Sequence, residues 1–138
     1  MRDILFRGKR IYEDEWVEGS LICFADGCCF VCVQGENMDF MDKFGVIPET
    51  VGQYTGLTDK NGKKVFEGDI VKCTDKTYDY SFNAVVIFGN PNGEYNWGFQ
   101  LKRISGASAN TDILLWFDMD DVGAFAEVVG NIHDNEVK

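Results

Sequence analysis

Apolar residues in this chain come in short runs rich in β-branched and aromatic side chains, separated by turn residues, which is the pattern of strands. Phe6 to Gly8 and Trp16 to Phe24 are too short for helices and read as the first two strands. Asp26-Gly27 lies between two apolar runs and predicts a hairpin with a two-residue loop. In that register Ala25 faces Cys28, Cys23 faces Phe30 and Leu21 faces Cys32. Side chains alternate along a strand, so Ile22, Phe24, Cys29, Val31 and Val33 form one face, and Leu21, Cys23, Phe30 and Cys32 the other. Cys23, Cys28 and Cys32 then share a face, with Cys29 opposite.

Gln34 to Phe44 is polar with interspersed Met and Phe and reads as a loop or a single helical turn. Pro48 keeps its neighbours extended and marks a hinge, so 1–47 and 48–138 are the sub-lobes expected within a single domain. The most regular stretch follows, "YTGLTDKNGKKVFEGDIVKC" from Tyr54 to Cys73. Asn61-Gly62 predicts a reversal, either a two-residue turn or a type I turn with Gly62 left-handed. Gly68-Asp69 predicts a tight corner before a strand from Ile70 to Cys73. Gly56, Gly62 and Gly68 supply permissive φ, Asp59 and Asp69 accept turn N–H groups, and Leu57, Val65, Phe66, Ile70 and Val71 supply core. Further on, "NAVVIFG" is a buried strand, "NPNGE" a loop and "YNWGFQL" the returning strand. "TDILLWF" is open between a short helix capped by Thr111 or Asp112 and a strand, and "EVVGNIHDN" is a last strand and turn. The fold class is mainly β, opening with a β-hairpin lobe and holding little helix.

Composition narrows the function. A chain of 138 residues with 45% hydrophobic content buries one ordinary core. A net charge of −10 repels a nucleic-acid surface unless a local patch defeats it. The candidate patch is Arg2, Arg7, Lys9 and Arg10, which also suits a strand edge guarded against pairing. No stretch approaches the roughly 20 apolar residues of a membrane span, and the opening "MRDILFRGKR" is charged where a signal peptide is apolar, so a cytoplasmic protein is expected. Five cysteines, an odd number, then read as reduced thiols.

Candidate chemistry is sparse. In an extended strand Cys29 and Cys32 point to opposite sides, so "CCFVC" is no zinc knuckle, and no metal or other cofactor is expected. "DMDDVG" begins like a calcium loop, yet Val122 and Val129 stand where oxygen ligands are required. His133 is the only histidine and reads as a turn residue. No catalytic, cofactor-binding or metal site is assigned.

"FRGKRI", "EWVEGSLI", "VIPETVGQYTGLTDKNGKKVFEGDIV" and "EVVGNIHDN" occur in that order, and with them the chain resembles the YopX family of phage and prophage proteins over nearly its whole length. The resemblance implies a largely β protein of phage origin inside a bacterial cell, with a small SH3-like barrel around the Gly68-Asp69 corner. It implies no established activity. Two classes of function follow. One is a non-enzymatic module that docks a phage or host protein through surface aromatics or a strand edge, and that self-associates to cover a hairpin apolar on both faces. The other is an accessory enzyme, a hydrolase or nucleic-acid-modifying protein, with a site of dispersed carboxylates such as Glu49, Glu67 and Asp69.

Overall fold

The structure, a computed structural model, describes residues 4–34, 41–89, 98–104, 111–112 and 123–134. The expected loop "NPNGE", the first residues of "YNWGFQL", most of "TDILLWF" and the acidic "DMDDV" lie outside the described residues. Eleven strands and one 3-10 turn, Pro48–Thr50, make up the described secondary structure, so the protein is mainly β. The strands are β1 (Phe6–Lys9), β2 (Trp16–Cys23), β3 (Cys29–Gln34), β4 (Met41–Val46), β5 (Gly52–Thr58), β6 (Lys64–Phe66), β7 (Asp69–Asp75), β8 (Tyr80–Gly89), β9 (Gly98–Arg103), β10 (Thr111–Asp112) and β11 (Ala124–Asn131). Hydrogen bonds order them into two sheets, β4-β3-β2-β1-β5-β6 and β10-β9-β8-β7-β11. The chain divides into two compact units, Met1–Tyr54 and Thr55–Lys138, with the division inside β5.

In the first unit the hairpin differs from expectation by one residue. The Phe24 N–H donates to the Cys28 carbonyl and the Gly27 N–H to the Phe24 carbonyl, both at 2.9 Å, so the loop is the three-residue Ala25-Asp26-Gly27. Gly27 takes a φ of 96°, the left-handed position that closes a type I turn with a bulge. The Asp26 carboxylate accepts the Cys28 N–H at 3.0 Å and favours this longer loop. The added residue shifts the whole ladder: Ser20 faces Cys32, Leu21 faces Val31, Ile22 faces Phe30 and Cys23 faces Cys29.

This register corrects the reading of the cysteines. Cys23 and Cys29 are directly opposed, 4.2 Å apart at Cα, the close approach of a pair without ladder hydrogen bonds, and they form a disulfide. Cys28, Cys32 and Cys73 are free. Leu21, Val31 and Val33 join Cys29, Val46, Val17 and Val51 in the core of this unit, leaving Ile22, Phe24 and Phe30 on the other face.

Two further expectations change here. Residues 41–46, assigned in part to a loop or helical turn, form β4 beside β3. β1, read as an exposed strand edge, is central, paired with β2 on one side and β5 on the other. Beyond β1, the Ile47 N–H donates to the Lys9 carbonyl and the Ile11 N–H to the Gly45 carbonyl, which ties the chain after β1 to the end of β4. Gly8 is the close-approach point, because a Cβ there would stand 2.8 Å from the Cβ of Val46.

In the second unit the alternating pattern buries Val71 and Cys73 of β7, Ala84 and Val86 of β8, Leu101 of β9 and Ala126 of β11 around Val65. The Asn61-Gly62 reversal is a type I turn with Gly62 left-handed, a three-residue loop like that of the first hairpin. Gly68 has a φ of 94°, as its corner predicts. The expected last strand is β11, antiparallel to β7 with a bulge between Val128 and Gly130. Thr111 and Asp112 are strand, paired with β9.

Candidate functional site

The residues named from sequence as candidate chemistry mostly serve the fold. Asp69 is 1% exposed, and its carboxylate accepts the Phe66 N–H at 2.8 Å and the Asn131 amide at 3.2 Å. Glu67 of the same unit is half-buried and Glu49 of the first unit is exposed. Among the described residues no group of three or more His, Cys, Asp or Glu side chains converges as a metal requires. His133 lies in the turn after β11, where its N–H donates to the Asn131 side-chain oxygen at 2.8 Å. Burial pushes the Cys73 thiol up to about 12, opposed by the Arg103 charge, so at neutral pH it is protonated and a poor nucleophile. The exposed Cys28 thiol is raised as well, by its hydrogen bond to the Asp26 carboxylate and then by that charge.

The N-terminal basic residues are also engaged. Lys9 is buried with its Nζ 2.7 Å from Asp14. Arg10 pairs with Glu13 at 2.9 Å and Glu15 at 3.0 Å, and Arg7 lies 4.8 Å over the Trp16 ring. Arg2 is outside the described residues.

What the structure adds is a groove within the first unit. Its cavity is about 330 Å³, lined by Arg10 to Glu13 of the β1–β2 connection, by Phe30 of β3, and by Lys43, Phe44 and Gly45 of β4. It forms because Ile11 is the last residue bonded to β4 before the chain turns away toward β2, so the segment and the sheet part company there. Gly45 makes room at the bottom: a Cβ on it would meet the Ile11 Cδ1 at 3.3 Å and the Phe30 ring at 3.8 Å. The Arg10 guanidinium lies 4.7 Å over the Phe44 ring and the Lys43 ammonium 5.9 Å from the Phe30 ring. Phe30 also meets Phe24 edge-to-face at 5.9 Å. Ile11 is 49% exposed and Tyr12 95%, an apolar lip that the described residues leave open.

Sequence reading did not single out Ile11, Tyr12 or Lys43, and took Phe44 only as part of the 34–44 segment. No motif joins them, since the groove is built from three separate stretches, at 10–13, at Phe30 and at 43–45. The one local signal is "RIYEDEW", where two apolar residues open an acidic turn that has no need of them.

Comparison with known proteins agrees with the fold. A sequence model of the family described as YopX protein matches residues 5–137, nearly the whole chain. The crystal structure of protein EF1440 from Enterococcus faecalis is similar at a TM-score of 0.51 and 21% sequence identity, covering 98% of this chain and 96% of that one. At that identity the likeness concerns the fold. The search of curated proteins gave no match.

Proposed function

The chain belongs to the YopX protein family, and from that premise we propose that it is a phage- or prophage-derived protein acting as a non-enzymatic protein-interaction module in the cytoplasm of a bacterial host. Its partner is a phage or host protein, with neither nucleic acid nor membrane involved, and its second unit is the SH3-like half. The observation that supports this reading is the groove: a small cavity with an aromatic floor and an exposed Ile11–Tyr12 lip, the form of a pocket for one anchor side chain. Among the described residues no helix is long and apolar enough to cross a membrane. The hairpin register is set by the Asp26-Gly27 loop and does not depend on the Cys23–Cys29 bond, so the proposal holds in a reducing cytoplasm as well.

Tyr12→Ala tests the proposal. The side chain is almost wholly exposed, so the melting temperature stays within about 2 °C, the shift that a surface change of up to about 0.5 kcal/mol makes in a domain of this size. Affinity capture from host cells, quantified by mass spectrometry, then yields a protein retained by the natural chain and lost with the variant. Equal retention of the same proteins by both chains would show that the groove is not the interface.

Self-association is a second part of the proposal. Ile22 and Phe24 of the first hairpin are 43% and 56% exposed on one face. The alternative is cover within one chain by the 34–44 segment, of which 41–44 run in β4 beside β3 and 35–40 lie outside the described residues. A second copy of the chain is the cover proposed here. Sedimentation equilibrium is expected to give a mass above the 15.6 kDa of one chain. A single species at the monomer mass across the micromolar range would exclude it.

A further inference from the structure

The charges around the groove are unequal in a way that specifies its occupant. Arg10 is neutralised by Glu13 and Glu15, and its guanidinium is held flat over Phe44. Glu13, the groove's carboxylate, is thereby occupied as well. Lys43 differs: it is exposed, its ammonium leans over the Phe30 ring at 5.9 Å, and among the described residues no carboxylate pairs with it. The chain carries 23 acidic against 13 basic residues, so an unpaired ammonium at the wall of an apolar cavity stands against the charge of the whole. At about 330 Å³ the cavity lies at the low end of the roughly 300–1,000 Å³ of small-molecule pockets and suits a single side chain better than a cofactor.

We infer that the groove receives an aromatic or branched apolar side chain of a partner protein that carries a carboxylate one or two residues away, with the apolar group over Phe30 and Phe44 and the carboxylate on Lys43. The apolar group supplies most of the affinity by leaving water. The carboxylate supplies selection, because an ammonium beside an aromatic floor favours an anion and repels a cation. The same charge rule disfavours a basic anchor. This inference rests on the groove being the docking surface.

The test is a nitrogen-15 NMR titration of the full chain with three capped hexapeptides. Each has one tryptophan, flanked by two aspartates, two asparagines or two lysines. The amides of Ile11, Tyr12 and Gly45 are expected to shift with the aspartate peptide. Its dissociation constant should be about threefold to fivefold below that of the asparagine peptide, the scale of one exposed ion pair. The lysine peptide should bind weakest. Lys43→Gln, an exposed change that leaves the fold intact, should erase the difference between aspartate and asparagine while tryptophan binding persists. Equal affinities for all three peptides would overturn the carboxylate inference and leave the groove standing as a docking surface. Absence of any shift with all three at millimolar concentration would overturn both. Shifts of the same amides by a single-stranded oligonucleotide in preference to the peptides would overturn the assignment of a protein partner.

Discussion

Asp59→Ala is expected to lower the unfolding free energy by about 3 kcal/mol, because one carboxylate satisfies three backbone donors and each loses its partner at a cost of roughly 1 kcal/mol or more. Its Oδ1 accepts the N–H groups of Asn61 and Lys63 at 2.9 Å, and its Oδ2 accepts that of Val128, also at 2.9 Å. The first two bonds shape the turn. The third reaches a residue 69 positions away on the outer side of β11, and the Lys60 N–H adds a bond to the Ala126 carbonyl beside it. The turn therefore caps an edge strand that would otherwise expose its ladder groups. Asp59→Asn keeps one acceptor oxygen and should lose less. Chemical denaturation of the three chains checks the order, and an alanine variant within about 0.5 kcal/mol of the natural chain would show the clasp to be dispensable.

The same residue sets a pH dependence. Burial by itself raises the Asp59 pKa, but the bonds from Val128, Lys63 and Asn61, with the Lys63 charge, outweigh it and hold the carboxyl below its ordinary value of 3.8. A carboxyl depressed in the folded state contributes stability that is complete above its unfolded pKa and is lost as pH falls through the lower folded value. Below about pH 4 the natural chain should lose stability more steeply than Asp59→Ala.

Gly68→Val is expected to cost roughly 1–3 kcal/mol from backbone strain, since a β-branched residue is poorly tolerated at a φ of 94°. The corner has little room to relax. The Gly68 N–H donates to the Val86 carbonyl at 2.9 Å, and its own carbonyl accepts the Ile132 N–H at 3.0 Å. A Cβ here would sit in ordinary contact, 3.7 Å from the Asn131 amide and 3.8 Å from the His133 ring, so the cost lies in the backbone. Gly68→Ala, with a single methyl, should fall between the two. An unchanged melting temperature for the valine variant would mean that the corner adopts another conformation in solution.

The middle stretch was legible because its signals are local. Gly56, Gly62 and Gly68 each take positive φ, and Asp59 and Asp69 each accept N–H groups of their own turns, which residue type and spacing predict within a few positions. The first hairpin was half legible. Its existence followed from Asp26-Gly27 between apolar runs, but two-residue and three-residue loops use the same pair of residues. The choice moved every cross-strand partner by one and brought Cys23 opposite Cys29.

By itself the sequence determined that this is a β protein of short strands, where its corners lie, and which family it resembles, because strand propensity and turn chemistry act over neighbouring residues. Only the tertiary structure decided that β1 is central, that Asp59 holds Val128, and that Ile11 and Tyr12 stand beside Phe30, Lys43 and Phe44. Those contacts join residues tens of positions apart, and their geometry depends on strand order and on registers that shift as a whole when a loop gains one residue. The groove is such a product, built where paired strands separate, and no single stretch of the chain encodes it.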